Sequence, residues 1–403
     1  MKKVISLVLV LAMVCLTLAS CGNNTTTSSG TDSSDASQTS STVEDTSSTL
    51  DSSAETSSTA EETSTSGEPF KIGILAPAVT HGWVSGVAYY AQARCDQLVE
   101  DGTIEYNLLT SNNAEEMTDQ IDQLKTWGAQ AVVAYPQWEG MEDPIQGLID
   151  SGIPVVNFDI VIDADGVYHV AGDNEGMGAA SAQYIVDKIG TTGTVVMLNV
   201  PSSGSVSELR QKGFEEKMAE IAPDMTIETY ATEFTREAGL SDFSDVLAAN
   251  SQIDAVFSMD DETSIGVLQA IEEAGRTDIK VVTGGGGMQE YFQMMPENQD
   301  IWIQSTLYSP SMIEDAVDMA VSILKGEDVE QEVIIPTTVV DRDNCADYLD
   351  ESYPYSGRRP KGEQWNESFK KAMARAAHSL FPKKGRVIHD AGNAQYLQIL
   401  RGQ

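Results

Sequence analysis

Between residues 71 and 340 the chain alternates between two kinds of hydrophobic pattern. Short runs that are almost wholly apolar, such as residues 71–77 and 153–158, are typical of strands buried on both faces of a parallel sheet. The longer segments between them, such as residues 83–98, carry apolar side chains at helical spacing. The alternation therefore predicts a series of strand–loop–helix units.

The pattern predicts strands at residues 71–77, 105–110, 129–135, 153–158, 167–171, 194–199, 226–231, 255–258, 280–283, 301–306 and 333–340. It predicts helices at residues 83–98, 114–127, 139–150, 175–189, 206–221, 237–250, 262–274 and 312–324. Strands that alternate with helices of this length form parallel sheets joined by right-handed crossovers. Because residues 70–355 exceed what one such sheet usually uses, we expect an α/β fold with two doubly wound parallel-sheet lobes.

The first residues predict export. Lys2 and Lys3 precede an apolar stretch, residues 4–18, that is too short to span a bilayer. The sequence Leu-Ala-Ser-Cys at residues 18–21 resembles the bacterial lipobox, and this resemblance implies cleavage after residue 20 and a lipid on the sulfur of Cys21. The alternative is an ordinary secretory cleavage that leaves Cys21 as a free thiol.

Two segments outside the alternating region differ from it in composition. Residues 21–69 are dominated by Ser, Thr and acidic residues, with too few apolar side chains to form a core, so we predict a disordered tether. A flexible coil of this length reaches roughly 40 Å. Residues 356–403 carry ten Lys or Arg against three Asp or Glu. We interpret this basic tail as a poorly ordered appendage, while docking on the acidic core or binding an anionic partner stay open.

The formal net charge of −38 argues against nucleic acid and against direct adhesion to anionic lipid. Of the Cys residues, Cys15 leaves with the signal peptide of residues 1–20, and Cys21 is the predicted anchor. Cys95 and Cys345 remain, far apart in the chain, and we expect two free, buried thiols.

The sequence contains no set of residues typical of an enzyme. Its four His residues have no metal-ligand spacing, and no Gly-x-Ser-x-Gly elbow occurs. The glycine run at residues 284–287 follows a strand but lacks the Lys-Ser/Thr of a phosphate loop, so we interpret it as a flexible loop near a ligand cleft. We expect no catalytic residue, no metal and no cofactor.

Polar or aromatic residues follow several of the predicted buried strands. Asp159 and Asp260 each come directly after one, Phe234 follows another, and His81 and Trp83 follow the first. In open α/β sheets this edge is where ligands bind. Carboxylates accept hydroxyl hydrogen bonds, and Trp83 offers a flat apolar face with one donor. The alternative for Trp83 is a residue at a helix start that packs on the sheet.

Several motifs in residues 71–355 together resemble the periplasmic sugar-binding proteins of the ribose/galactose type, the receptors of ABC importers. They are THGW at 80–83, PVVNFD at 154–159, GDNEGMG at 172–178, RQKGF at 210–214, AVFSMDD at 255–261 and KGE at 325–327. The resemblance implies an N-terminal lobe of residues 70–172 and 308–336, a C-terminal lobe of residues 173–307 and 337–355, and a three-segment hinge that closes on the ligand.

The resemblance also implies the ligand-binding positions, which are His81, Trp83, Asp159, Glu208, Phe234, Asp260, Gly285 and Leu307. Glu208 stands where the family has a ligand-binding Arg, and Ile160 stands where Arg often follows Asp159. His81, Gly285 and Leu307 replace the usual Asn, Asp and Gln. These differences argue against ribose, and the missing pair of Arg side chains argues against an anionic ligand. Arg210 either points into the cleft or caps a helix on the surface.

We therefore expect a monomeric, lipid-anchored receptor on the outer face of the bacterial cytoplasmic membrane. Its partners would be a small neutral polar ligand, most simply a sugar, and the permease subunits of an ABC importer. A nucleoside, a polyol, a furanone signal or a cationic compound stays open as ligand, and so does a sensory role. A transcription regulator of the same fold would need a helix-turn-helix where this chain has its export signal and tether.

Overall fold

The computed structural model describes residues 68–79, 82–349 and 354–357. The signal peptide, Cys21 and the tether as far as residue 67 lie outside the described residues, and so do His81 and the tail from residue 358 onward. Within the described part, no helix is long and apolar enough to cross a membrane.

One six-stranded sheet is built from the first part of the chain and one late strand. Its spatial order is β11, β5, β4, β3, β1, β2, and every pair in it is parallel. The bounds are β1 Phe70–Pro77, β2 Ile104–Ser111, β3 Ala131–Ala134, β4 Val155–Phe158, β5 Tyr168–Gly172 and β11 Glu332–Ile335. We call this sheet and its helices the N-terminal lobe. Its central strands β3 and β4 are wholly buried, as their unbroken apolar runs predict.

A second six-stranded sheet has the order β12, β10, β9, β8, β6, β7. The bounds are β6 Gly193–Asn199, β7 Met225–Ala231, β8 Ala255–Ser258, β9 Val281–Gly285, β10 Trp302–Leu307 and β12 Thr338–Asp341. Four of its pairs are parallel, and the edge strand β12 runs antiparallel to β10. The sequence analysis expected parallel strands throughout, so this edge is a correction. We call this sheet and its helices the C-terminal lobe.

Helices cover both faces of each sheet. They are α1 Gly82–Glu100, α2 Ala114–Trp127, α3 Glu142–Asp150, α4 Asn174–Ile189, α5 Ser205–Ile221, α6 Arg236–Ala249, α7 Asp261–Glu273, α8 Gln289–Glu297 and α9 Ile313–Leu324. In the N-terminal lobe, α1 and α9 pack on one face and α2 and α3 on the other. In the C-terminal lobe, α6, α7 and α8 cover one face, and α4 and α5 the other. The predicted fold class, two doubly wound α/β lobes, is confirmed.

The chain passes between the two sheets three times. It leaves the first sheet after Gly172, returns after Leu307, and crosses again between β11 and β12 at Pro336. The pattern of residues 333–340 predicted one continuous strand, and the structure divides it into two strands of different sheets. Pro336 separates them, because proline cannot donate a ladder hydrogen bond.

Two further differences from the sequence analysis concern helices. Helix α8 was not predicted, since it follows a run of glycines and contains Pro296. It is nevertheless anchored by the buried side chains of Tyr291, Phe292 and Met295. Helix α3 begins at Glu142, three residues later than the predicted start.

Cys95 and Cys345 are free and buried, as expected. Burial raises the pKa of the Cys95 thiol to about 12.

Candidate ligand-binding site

A cavity of about 290 Å³ lies where the carboxyl ends of both sheets meet. Its lining comes from residues just past the strand ends: Trp83 after β1, Tyr135 and Gln137 after β3, Asp159 after β4, Val200 after β6, Glu233 and Phe234 after β7, Asp260 after β8, Gly285 in β9 and Tyr308 after β10. A strand end fixes the backbone while it leaves the next side chain free to face a ligand. The volume suits a ligand of monosaccharide size, at the lower end of ordinary small-molecule pockets.

Asp159 is the buried carboxylate on the N-terminal side of the cavity. Its φ of +68° places it in the left-handed region, the one such non-glycine residue in the described part of the chain, and Asp tolerates this conformation better than most residues. Only 4% of its surface is exposed. Oδ1 accepts a hydrogen bond from the hydroxyl of Tyr308 at 2.5 Å, and Oδ2 accepts none from the described residues. Burial raises the pKa of this carboxyl group, against the opposing effects of Tyr308, Arg210 and His169.

Tyr308 connects Asp159 to the crossing segments. Its hydroxyl also accepts hydrogen bonds from Asn174 Nδ2 at 3.0 Å and from the backbone N–H of Gly172 at 3.2 Å. Asn174 Oδ1 in turn accepts a bond from Arg210 Nε at 2.8 Å. The result is a continuous chain of hydrogen bonds from Arg210 through Asn174 and Tyr308 to Asp159. This chain spans both lobes and two of the three crossings.

Arg210 lies in the cavity wall, which decides between the two positions left open by the sequence. It is 6% exposed, and its Nη1 donates to the carbonyl of Met259 at 2.8 Å. The guanidinium lies 4.7 Å from the ring centre of Tyr308 and 5.8 Å from that of Phe234. Its Nη2 donates to no acceptor among the described residues. The positive charge is therefore held in place by partners that leave the N–H groups of Nη2 for a ligand.

Asp260 and its neighbour Asp261 have different surroundings. Asp260 caps helix α7, because its side chain accepts a bond from the backbone N–H of Thr263 at 2.7 Å. It lines the cavity, and burial raises its pKa to about 6. Asp261 is 1% exposed, and its Oδ2 accepts bonds from the N–H groups of Gly287 and Met288 and from Ser305 Oγ. Burial raises the pKa of Asp261 to about 7. Asp261 thus holds the loop after β9 in position beside the cavity.

Trp83 both lines the cavity and packs against the apolar cores of the two lobes. Its ring is stacked on that of Phe158, with the centroids 6.2 Å apart and the planes 4° from parallel. Its Nε1 donates to the carbonyl oxygen of Tyr308 at 2.6 Å. The indole N–H therefore bonds to a backbone carbonyl at the hinge, and the role of the Trp83 ring face as a ligand contact stays a prediction.

Residues 72–328 match the family model of the Periplasmic binding protein domain. The chain belongs to this family. A xylitol-binding protein of Mycolicibacterium smegmatis is 24% identical over 283 residues, which cover 68% of this chain and 78% of that protein. The ribose import binding protein of Salmonella typhimurium is 26% identical over 232 residues, 56% of this chain and 77% of that protein.

The solved structures agree with this assignment at the level of the fold. An ABC transporter solute-binding protein of Mycobacterium smegmatis, determined with bound glycerol, superimposes with a TM-score of 0.64 at 23% identity. The match covers 72% of this chain and 100% of that structure. The expected type I periplasmic-binding-protein fold is confirmed.

Two of the ligand positions implied by the resemblance lie elsewhere in this periplasmic binding protein. Glu208 is exposed in the first turn of α5 and is not part of the cavity lining. Leu307 is 4% exposed and belongs to the apolar core of the C-terminal lobe, where a leucine at the end of a buried strand is best stabilised. Neither residue lines the described cavity, and their roles as ligand contacts stay predictions from the resemblance alone. His81 lies outside the described residues.

Phe234 and Gly285 line the cavity, as does Trp83. Gly285 packs closely on Met177, since an added Cβ would lie 1.9 Å from its Cε and the methionine side chain would have to move. Gly284 and Gly285 lie within β9, so the glycine run predicted as a loop begins inside a strand.

Four residues that matter to this site are not among the predicted ligand positions. Tyr135, Gln137 and Tyr308 each follow a buried strand, so the rule that found Asp159 applies to them equally. Asn174 carries no such signal, because its role depends on the crossing that brings it to Tyr308. The described lining presents carboxylates, amide, hydroxyl and aromatic groups, and this arrangement can bind a polar ring or chain.

Proposed function

We propose that this protein is an exported receptor that binds a small polyhydroxylated ligand, a sugar or a polyol, and delivers it to an ABC importer. The observation that carries the proposal is the buried carboxylate of Asp159, whose Oδ2 has no hydrogen-bond partner among the described residues while it lines a cavity between two lobes. A carboxylate oxygen that loses its water without gaining a donor is unfavourable, so a ligand that covers this oxygen is stabilised by a hydroxyl group that donates to it.

Several features support this function. The family comprises periplasmic binding proteins, and relatives are named for the binding of ribose and xylitol. The aromatic side chains of Trp83, Tyr135 and Phe234 line the same cavity and supply apolar faces for the C–H side of a sugar. The relatives are named as binding proteins, which supports a receptor rather than an enzyme.

The proposal includes a lipid anchor on Cys21, in accordance with the lipobox-like sequence at residues 18–21. The tether of residues 21–69 would then hold the receptor near the outer face of the membrane, as a monomer within reach of the permease. Replacing Cys21 with Ala should release the protein into the medium. Retention of the variant at the membrane would contradict the anchor.

Thermal-shift measurements on the purified full-length chain test the binding function. The panel contains pentoses, hexoses, their furanose-forming members, alditols, inositols and nucleosides. We expect at least one sugar or polyol to raise the melting temperature in a concentration-dependent way, since a ligand that binds only the native state stabilises it. A shift caused by nucleosides alone, or by no member of the panel, would contradict the proposal.

A further inference from the structure

The charged side chains that line the cavity restrict the class of ligand more narrowly than the requirement for hydroxyl groups does. We propose that the ligand carries a protonated amine beside its hydroxyl groups, as an amino sugar or an amino polyol does. This inference rests on the proposed function. It narrows the ligand class from polyhydroxylated compounds in general to those that carry a positive charge.

The described cavity lining contains four carboxylates and one cation. Asp159 is 4% exposed, Asp260 is partly buried, and Glu233 and Glu262 complete the set. Arg210 is the cation, and no Lys belongs to the described lining. The balance is therefore negative at the place where a ligand would exclude water and strengthen every electrostatic interaction.

Arg210 balances no more than one of these charges. Its Nε and Nη1 are used by Asn174 and by the carbonyl of Met259, and its guanidinium lies against the ring of Tyr308. Glu262 is paired outside the cavity with Arg236 at 3.1 Å. Arg236 also pairs with Glu290, so it brings no surplus charge to the cavity.

Glu233 is exposed and accepts a hydrogen bond from Ser202 Oγ. The two aspartates therefore remain as the more buried carboxylates of the described lining that form no ion pair. Oδ2 of Asp159 accepts no hydrogen bond from the described residues, and the one donor to Oδ1 is the neutral hydroxyl of Tyr308. Burial raises the pKa of both Asp159 and Asp260, so their ionised forms are less favourable in the cavity than in water. An ammonium group offers three donors and no acceptor, and it stabilises those ionised forms more strongly than a hydroxyl group does.

Matched trios of ligands separate the effect of the charge on an amine from the effect of a change in ligand size. Each trio contains a neutral compound, its amine and its neutral N-acetyl derivative: D-glucose with D-glucosamine and N-acetyl-D-glucosamine, the same set for galactose, and xylitol with 1-amino-1-deoxyxylitol and its N-acetyl derivative. Titration calorimetry at neutral pH uses the purified full-length chain. We expect at least one amine to bind at least tenfold more tightly than both neutral members of its trio.

Two variants identify the carboxylate responsible. Asp159→Asn keeps the shape of the side chain and its capacity to accept from Tyr308, and it should reduce the preference for the amine to less than threefold. Asp224→Asn makes the same charge change on an exposed residue outside the lining, and it should leave the preference unchanged.

The outcomes distinguish this inference from the function on which it rests. If neutral members bind as tightly as their amines, the inference is overturned and the sugar- or polyol-binding function stands. An amine preference that survives Asp159→Asn would overturn the assignment of the amine to Asp159. Binding of no member of any trio, together with no response in the thermal-shift panel, would reject the function and the inference together.

Discussion

The hydroxyl of Tyr308 donates to Oδ1 of Asp159 at 2.5 Å, and this bond joins the ligand cavity to the hinge. Tyr308 is the first residue after β10, where the chain returns to the N-terminal lobe, and its hydroxyl accepts from Gly172 and Asn174 at the first crossing. A ligand that contacts Asp159 therefore acts on a side chain that is shared by two crossings. Through these hydrogen bonds, a ligand bound to Asp159 can favour one orientation of the two lobes.

Replacing Tyr308 with Phe tests this connection. The variant keeps the ring but leaves Asp159, Asn174 and the N–H of Gly172 without their shared partner. We expect the free energy of unfolding to fall by about 1–3 kcal/mol and the ligand affinity to fall as well. Chemical denaturation and titration calorimetry measure the two effects.

Tyr291→Phe is the matched control for that experiment. Tyr291 is fully buried in the C-terminal lobe, and its hydroxyl donates to the carbonyl of Val282 away from the cavity lining. This variant should lose stability and keep its affinity. If Tyr308→Phe also binds like the wild type, the hydrogen-bond chain does not connect the ligand to the hinge.

Trp83 should affect both stability and binding. Trp83→Phe removes the Nε1–H bond to the carbonyl of Tyr308 and reduces the ring that packs on Phe158. We expect a loss of about 1–2 kcal/mol in stability together with weaker binding. Trp127→Phe, which alters a partly buried ring in α2 outside the cavity, should leave affinity unchanged. A Trp83 variant that melts earlier but binds normally would identify Trp83 as a purely structural residue.

The contact between Gly172 and Tyr308 leaves no room for a side chain. A Cβ on Gly172 would lie 2.2 Å from Cε2 of Tyr308. Gly172→Ala should therefore destabilise the protein by about 1–3 kcal/mol through overpacking at the hinge. Gly147→Ala in α3 meets only the Nζ of Lys125 at 3.9 Å, and it should be neutral or stabilising by up to about 1 kcal/mol. Equal melting temperatures for the two variants would contradict the close packing.

The pH dependence of stability should contain a contribution from Asp261. Burial raises its pKa to about 7, so the folded state holds this proton more tightly than the unfolded state, whose pKa is near the ordinary 3.8. The contribution is fully present below about pH 4 and is lost as the pH rises through about 7. Asp260, with a pKa raised to about 6, acts in the same direction.

Melting curves between about pH 5 and pH 8 measure this effect. Asp261→Asn should show a smaller fall in melting temperature over this range than the wild type, because its side chain no longer titrates. Asp245→Asn removes an exposed carboxylate of α6 and should keep the slope of the wild type. An unchanged slope in Asp261→Asn would contradict the raised pKa.

Much of the fold was predictable because buried parallel strands have an unbroken apolar pattern. Runs such as β4 and β8 are wholly buried, and the polar residues after them, Asp159 and Asp260, line the cavity. Local patterns could not reveal contacts made across the hinge. The N–H of Trp83 and the side chain of Asn174 both meet Tyr308, which is distant in the sequence, and Leu307 faces a core that only the folded sheet defines.

The most direct test of the account compares ligand affinity in the wild type, Asp159→Asn and Asp163→Asn. Asp163 is an exposed carboxylate of the same loop and lies outside the cavity lining, and Asn tolerates the left-handed conformation of residue 159. Calorimetric titration uses the full-length chain and the tightest-binding member of the sugar and polyol panel. A hydrogen bond to a charged group contributes about 1.5–3 kcal/mol, so Asp159→Asn should bind at least about tenfold more weakly, while Asp163→Asn binds like the wild type. Equal affinity in all three proteins, with unchanged melting curves, would contradict the claim that this cavity binds the ligand.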